Sequence, residues 1–513
     1  MKTNIIKILM FFLFLIAFAI NYYYGGKGVF PIDTFAHFDT SYRILNGASP
    51  IKDYWATTGL TVDYLQSLFF LIFGVNWTSY LIHPSLVNAS LTLAIFILFR
   101  KFKLNKYICF FYSICFAILA YPSAGVPFPD HHSAFFSLFA IIFLLLAIKE
   151  NNFFYWFLIP IFFFIAFFSK QTPAGHIILF SVFFVIYYSF ITKKTRWIIP
   201  VSIGIFVNLV FLFSFLMIEK IDFNLFITQY FLFPQSIGLE RINDLNFTLR
   251  GSIFHFKFVY LAFVPIILFT LSGIIKNKSF LKSKEFFNSI IILFFSFCLI
   301  FHQLITKNQT FIFFLIPFIL GFSHASIKFK KYNVYFTYFL LFLCLFTSIK
   351  YHLRFNEDRK FMELSNININ LSKKAEHIDD KLSGLKWITP EYHHNVEEEL
   401  LLIKDTINHL KIDNNTIMVL THYQFLSAII EKDLISPNRW FTTDGISYPL
   451  LNHKYFEDYK NYFKDLVLKK NVDLIYTIKP IGVDAISSIF NEDCLDTLQI
   501  NKILYQHKLD KCN

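Results

Sequence analysis

The chain carries none of the short signatures that announce nucleotide or soluble cofactor chemistry. There is no GxGxxG fingerprint, Walker loop, CxxC pair, HExxH or GxSxG in its 513 residues. ATP-driven transport and dinucleotide chemistry lose ground accordingly. Acidic residues are also scarce: the first 349 positions hold eleven Asp and Glu against 26 Lys and Arg. The net charge of +12 therefore sits almost wholly in that part. Residues 350–513 hold 21 basic and 24 acidic side chains, so no basic face is left to attract nucleic acid. The six cysteines form no ligand pattern. Cys109, Cys115, Cys298 and Cys344 lie in apolar runs, while Cys494 and Cys512 could pair if the tail meets an oxidising compartment.

Hydrophobic sequence fills the rest. The chain is 55% hydrophobic and 20% aromatic, with 71 Phe, and its long apolar runs mean membrane spans. Eleven stretches are candidates: 7–24, 80–99, 107–121, 133–148, 153–168, 176–191, 197–217, 257–275, 286–303, 310–325 and 333–349. No small-residue cleavage site follows the first, which reads as an uncleaved span ending in Tyr22–Tyr24. Residues 64–75 are too short to cross and read as an interfacial helix.

Charge orients these spans. With the N-terminus inside, the inner ends and loops collect 17 Lys and Arg, the outer loops eight, and nine of the eleven acids fall outside. The expected architecture is an α-helical polytopic membrane protein of about 11 spans. Residues 1–349 form the membrane part, and residues 350–513 a small extracytoplasmic α/β domain. Helices are expected near 357–382 and 395–411, and strands at 416–420 and 472–478. In a bacterium this places the chain in the inner membrane, with its tail in the periplasm.

Four of the eleven acids, Asp33, Asp39, Asp53 and Asp63, crowd into the first outer loop, 25–79. Carboxylates near a bilayer are kept where they are solvated or functional. Arg43 and Lys52 share that loop; His131 and His132 follow Asp130 in the second, Lys170 and Gln171 stand in the third, and Arg241 and Arg250 in the fourth. Lys170, Arg241 and Arg250 break the charge rule by lying outside, which favours an anionic ligand. A carboxylate with scattered cations at an outer membrane face suits transfer of a sugar from a lipid phosphate: cations hold the phosphate, and a carboxylate takes the proton of the attacking hydroxyl. Structural roles compete. Asp33 could be a helix N-cap, Asp39 a solvated residue, Asp53 a brace for the loop, and Lys170 a snorkelling end residue. Adjacent histidines point to different sides, so His131 and His132 suit substrate positioning or capping better than a shared metal.

The first loop resembles that of the GT-C superfamily glycosyltransferases, which include polyprenyl-phosphate-sugar-dependent mannosyltransferases and aminoarabinose transferases. Asp33 stands fourteen residues before Gly47, and Pro50, Lys52, Asp53, Tyr54, Gly59 and Tyr64 follow. The chain departs from the pattern at Thr34, where a second acid often stands, at Ile51, where an aromatic does, and at Leu60, where a Pro does. The resemblance implies an inverting transferase with Asp33, or alternatively Asp39, as general base. Its donor would be a polyprenyl-phosphate-linked sugar, its acceptor a glycan, lipid or envelope polymer, and some members of the superfamily add a divalent metal. An O-antigen polymerase or ligase is the rival enzyme. A lipid-linked-glycan flippase or transporter is the rival from another class, but it calls for ionisable residues at mid-span, where this chain has almost none.

Overall fold

The computed structural model describes residues 2–120, 125–307, 312–327, 334–442, 444–490 and 495–509. Cys494 and Cys512, and with them the expected pairing, lie outside the described residues. Each of the eleven expected spans overlaps a helix, although residues 121, 310, 311 and 333 lie outside the described residues. Among the described residues, eight helices are long and apolar enough to cross a membrane: Asn4–Gly25, Trp77–Lys101, Pro129–Glu150, Gln171–Thr192, Ile198–Ile218, Lys257–Lys276, Lys284–Ile305 and Val334–Met362. The other three, Lys106–Leu119, Phe153–Ser169 and Leu315–Ser326, are shorter. The chain is an integral membrane protein.

Local chemistry sets the helix ends. The side chains of Asn76, Asn105 and Asn152 each accept a backbone N–H at the start of a helix. Pro129 opens another at a position where no N–H is needed. The helix Pro129–Glu150 is buried along almost its whole length, with Trp77–Lys101, Phe153–Ser169, Gln171–Thr192 and Lys284–Ile305 packed around it.

The expected interfacial helix runs from Leu60 to Phe73. Its fourteen residues span about 21 Å, less than a hydrocarbon core. Val62, Asp63, Gln66 and Phe70 turn inward, while Leu68, Leu71, Ile72 and Phe73 are exposed, as suits a helix lying on a membrane surface. The fourth outer loop is mostly helical, with turns at Phe223–Ile227, Phe233–Asn243 and Leu249–Phe254.

In the tail the expected helix at 395–411 is Val396–Ile412. The two expected strand runs are β3 (Ile417–Leu420) and β4 (Leu474–Ile478), which pair in parallel. β5 (Asp496–Gln499) and β6 (Leu504–Lys508) complete a sheet of order β3-β4-β6-β5, antiparallel beyond β4. The helix expected near 357–382 is absent. Short 3₁₀ turns replace it, with a ribbon of β1 (Lys373–Lys374) and β2 (Lys386–Trp387) alongside. Its polar side chains divert the backbone: Asn368 accepts from the Asn370 N–H and Asp379 from the Lys381 N–H.

The tail and the first loop share one core. Phe35, Phe38, Trp77 and Tyr80 pack with Trp387, Tyr423 and Phe425, and the Phe35 and Phe425 rings stand 4.5 Å apart. Backbone bonds join the two: Val29 N–H donates to Ile388 O (2.9 Å), Trp55 N–H to Pro437 O (2.7 Å) and Arg439 N–H to Trp55 O (3.0 Å). The span beginning at Val334 runs on to His352 and a π-helical turn at Leu353–Glu357, so the helix passes unbroken through residue 349.

Candidate active site

A cavity of about 1070 Å³ opens where ends of the spans meet the first loop and the tail. Asp33 stands on its wall, third in the four-residue helix Pro31–Thr34. Phe30 is the N-cap of that helix, so capping does not account for Asp33. Among the described residues its carboxylate has no hydrogen bond or ion pair. Burial, then the neighbouring Asp130, raise its pKa from 3.8 to about 7, with Lys170 opposing.

Asp130 and Lys170 line the cavity beside it. Lys170 Nζ lies 2.7 and 2.8 Å from the Asp130 oxygens, and His302 Nε2 donates to Asp130 Oδ1 at 2.9 Å. Lys170 is the extended residue between Phe153–Ser169 and Gln171–Thr192. Next to it, Gln171 donates to Thr57 O (2.8 Å) and Tyr230 O (2.7 Å), tying this junction to the first and fourth loops. Further cations line the cavity at Arg241, Lys307, Arg354 and Lys360. His255, also on the wall, is pushed down to about pKa 4 by burial and then by Arg354 and Lys360, so it is neutral at pH 7.

Asp33, Lys170, Gln171 and Arg241 are therefore brought together, and the other residues singled out from the sequence are not among those lining the cavity. Asp39 is not among the residues lining the cavity: its buried carboxylate accepts the Ser427 and Ala428 N–H groups (3.1 and 3.0 Å), which ties the first loop to the tail. Arg43 donates to Ser436 O (3.2 Å) and covers the Tyr54 ring. Lys52 reaches Glu219 O (3.1 Å), and Asp53 accepts from Ser49 N–H (2.8 Å) while facing Lys52 and Lys470. His131 is buried against Phe128 and Phe135. His132 donates through Nδ1 to Phe128 O (2.9 Å) and faces His83. Arg250 is exposed on the turn Leu249–Phe254.

A second polar cluster, fully buried, lies behind the first. His37 Nδ1 donates to Asp63 Oδ1 (2.6 Å), Thr40 Oγ1 donates to the same oxygen (2.6 Å), and Arg439 Nε lies 3.2 Å from Asp63 Oδ2. Arg439 Nη2 lies 2.5 Å from His37 Nε2, which accepts from it. Burial and then Arg439 hold the His37 pKa near 3, so the ring is neutral.

Among the described residues no group of three or more His, Cys, Asp or Glu side chains could hold a metal ion. The carboxylate beside Asp33 is already matched by Lys170 and His302. The donor set does not fit a divalent cation.

No family model matches the chain, and no curated protein matches it in sequence. Solved structures do. ArnT from Cupriavidus metallidurans, in its apo state and bound to undecaprenyl phosphate, superposes with TM-scores of 0.54 and 0.53 at 8% identity, over 99% of this chain and 98% of that one. The chain shares the fold of ArnT. An oligosaccharyltransferase from Archaeoglobus fulgidus, in complex with zinc and sulfate, matches more distantly: TM-score 0.43, 15% identity, 91% of this chain and 68% of that one. Wall residues the sequence did not single out include His255, Arg354, Lys360, Arg439, Trp440 and Asp444, the last five of them from the last span onward. Their signal is faint: only the Arg439–Trp440 pair, between Pro437 and Asp444, marks a loop in the tail.

Proposed function

We propose that the chain is a membrane glycosyltransferase. It moves a sugar from a polyprenyl-phosphate carrier to an acceptor at the outer face of a bacterial inner membrane, with inversion at the sugar carbon. The observation that carries this reading is the unpartnered carboxylate of Asp33 on a cavity wall rich in cations. A pKa near 7 suits a general base: enough of it is ionised at neutral pH, and it binds the transferred proton firmly.

In this mechanism Asp33 accepts the proton of the acceptor hydroxyl as the oxygen bonds to the sugar carbon. The bond from that carbon to the phosphate oxygen breaks on the opposite face. The carrier leaves as a monophosphate, its charge met by Arg241, Arg354 and Lys360 at the wall and by Lys170 beside Asp33. Neutral His255 supplies a hydrogen bond without competing for the proton. The bound undecaprenyl phosphate of a protein with the same fold supports a carrier of that kind. Eleven spans with the N-terminus inside would put cavity and tail outside together.

The test is transfer by the purified protein in lipid, offered a panel of polyprenyl-phosphate sugars and cell-envelope acceptors. Transfer from one of them, with the anomeric configuration inverted, is expected. Binding of the carriers without transfer from any donor would contradict the reading.

A further inference from the structure

A base between two substrates needs one on each side, and the cavity wall carries more than one chemistry. The cations that suit a phosphate come from the span ends and the fourth loop. The tail contributes a different chemistry: Arg439, Trp440, Thr442 and Asp444.

Trp440 is half-buried, and the Arg439 guanidinium lies 4.8 Å from the centre of its ring, holding the indole in place. Among the described residues the indole N–H has no hydrogen-bond partner. Asp444 is exposed to the cavity; its Oδ1 accepts from Thr442 Oγ1 and the Ile446 N–H, while Oδ2 accepts nothing among the described residues. An aromatic face with a free N–H and a pre-oriented carboxylate oxygen matches a sugar ring, whose C–H face is apolar and whose hydroxyls lie at its edge.

The loop is also fixed relative to the base. Pro437 and Arg439 exchange backbone bonds with Trp55 of the first loop, and Arg439 Nη2 donates to Ala36 O (3.4 Å), three residues beyond Asp33. Asp444 is close enough to add to the rise in the Asp33 pKa.

We propose that the tail loop bearing Trp440 and Asp444 is the acceptor subsite, and that the acceptor is a glycan whose end sugar stacks on Trp440 and hydrogen-bonds to Asp444. This rests on the transferase reading and narrows its acceptor to a carbohydrate.

The experiment uses the full chain in lipid nanodiscs. Saturation-transfer NMR probes binding of methyl pyranosides and short linear oligosaccharides of glucose, galactose, mannose and N-acetylglucosamine, and undecaprenyl phosphate binding is measured in parallel. Wild type is expected to bind at least one saccharide. Trp440→Ala weakens it by roughly tenfold or more, Asp444→Asn weakens it, and Trp440→Phe, which keeps a ring, retains most of it. Lipid phosphate binding stays the same in all four proteins, which separates loss of the subsite from misfolding. Saccharide binding as tight in Trp440→Ala as in wild type overturns the proposal. Lipid phosphate binding with no saccharide bound by wild type overturns the subsite alone. Binding of neither overturns the transferase reading as well.

Discussion

Arg439 and Asp63 are 376 positions apart in the chain, yet Arg439 Nε stands 3.2 Å from Asp63 Oδ2, and both side chains are buried. This ion pair joins the tail to the helix Leu60–Phe73 of the first loop, and His37 and Thr40 complete it. The two buried charges offset each other as an ion pair, although Asp63 Oδ2 and Arg439 Nε make no hydrogen bond among the described residues. Removing one leaves the other stranded. Arg439→Gln is expected to destabilise the protein by about 3–5 kcal/mol and to loosen the tail from the first loop. Thermal unfolding in nanodiscs, with limited proteolysis of residues 350–513, checks this.

Gly59 tests the same junction from the backbone. Its φ is +82°, and a Cβ there would stand 2.6 Å from Arg439 Cζ. Gly47 has a φ of +90° with nothing within 4 Å. Gly47→Ala should therefore cost only the left-handed backbone penalty, about 1–2 kcal/mol. Gly59→Ala should cost clearly more, because the guanidinium must move off Asp63. Comparing the two melting temperatures separates strain from collision.

Asp39 gives the opposite contrast. Asp39→Ala strands the Ser427 and Ala428 amides and should cost about 1–3 kcal/mol. Turnover per folded molecule should stay at the wild-type value, since Asp39 does not line the cavity. Activity normalised to folded protein is the readout.

These three sites mark what the sequence made legible. Apolar runs located the eight helices long enough to cross a membrane, because a bilayer demands such runs locally. Asp33 could be singled out because a carboxylate in so greasy a stretch needs a reason. Asp39, Arg43, Lys52 and Asp53, singled out by the same logic, have partners in Ala428, Ser436, Glu219 and Ser49. A polar residue docking a distant segment looks, in one dimension, like one awaiting a substrate. Arg439, Trp440 and Asp444 were hidden for the same reason: no local pattern reports a contact made across some four hundred positions. In the second loop attention fell on His131 and His132, but Asp130 is the residue that reaches the cavity.

In the proposed mechanism, proton uptake by Asp33 sets a pH profile. Turnover should rise with pH through about 7 and level off above it, as the carboxylate ionises. Lys170 lowers this pKa and Asp130 raises it. Lys170→Met should thus move the midpoint to higher pH and Asp130→Asn to lower pH. Stability follows with a definite sign. The folded-state pKa lies above the unfolded value, so the stability that Asp33 contributes is present in full below about pH 4 and is lost as pH rises through 7. Asp33→Asn should melt higher than wild type at pH 8, and the gap should shrink as the pH falls.

The central claim is that Asp33 is the base. The most direct measurement is single-turnover transfer by wild type and Asp33→Asn with the same polyprenyl-phosphate donor and acceptor, alongside the affinity of each for the carrier. The account predicts a loss of at least about a hundredfold in the transfer step, with carrier binding retained. Transfer by Asp33→Asn at the wild-type rate would contradict it.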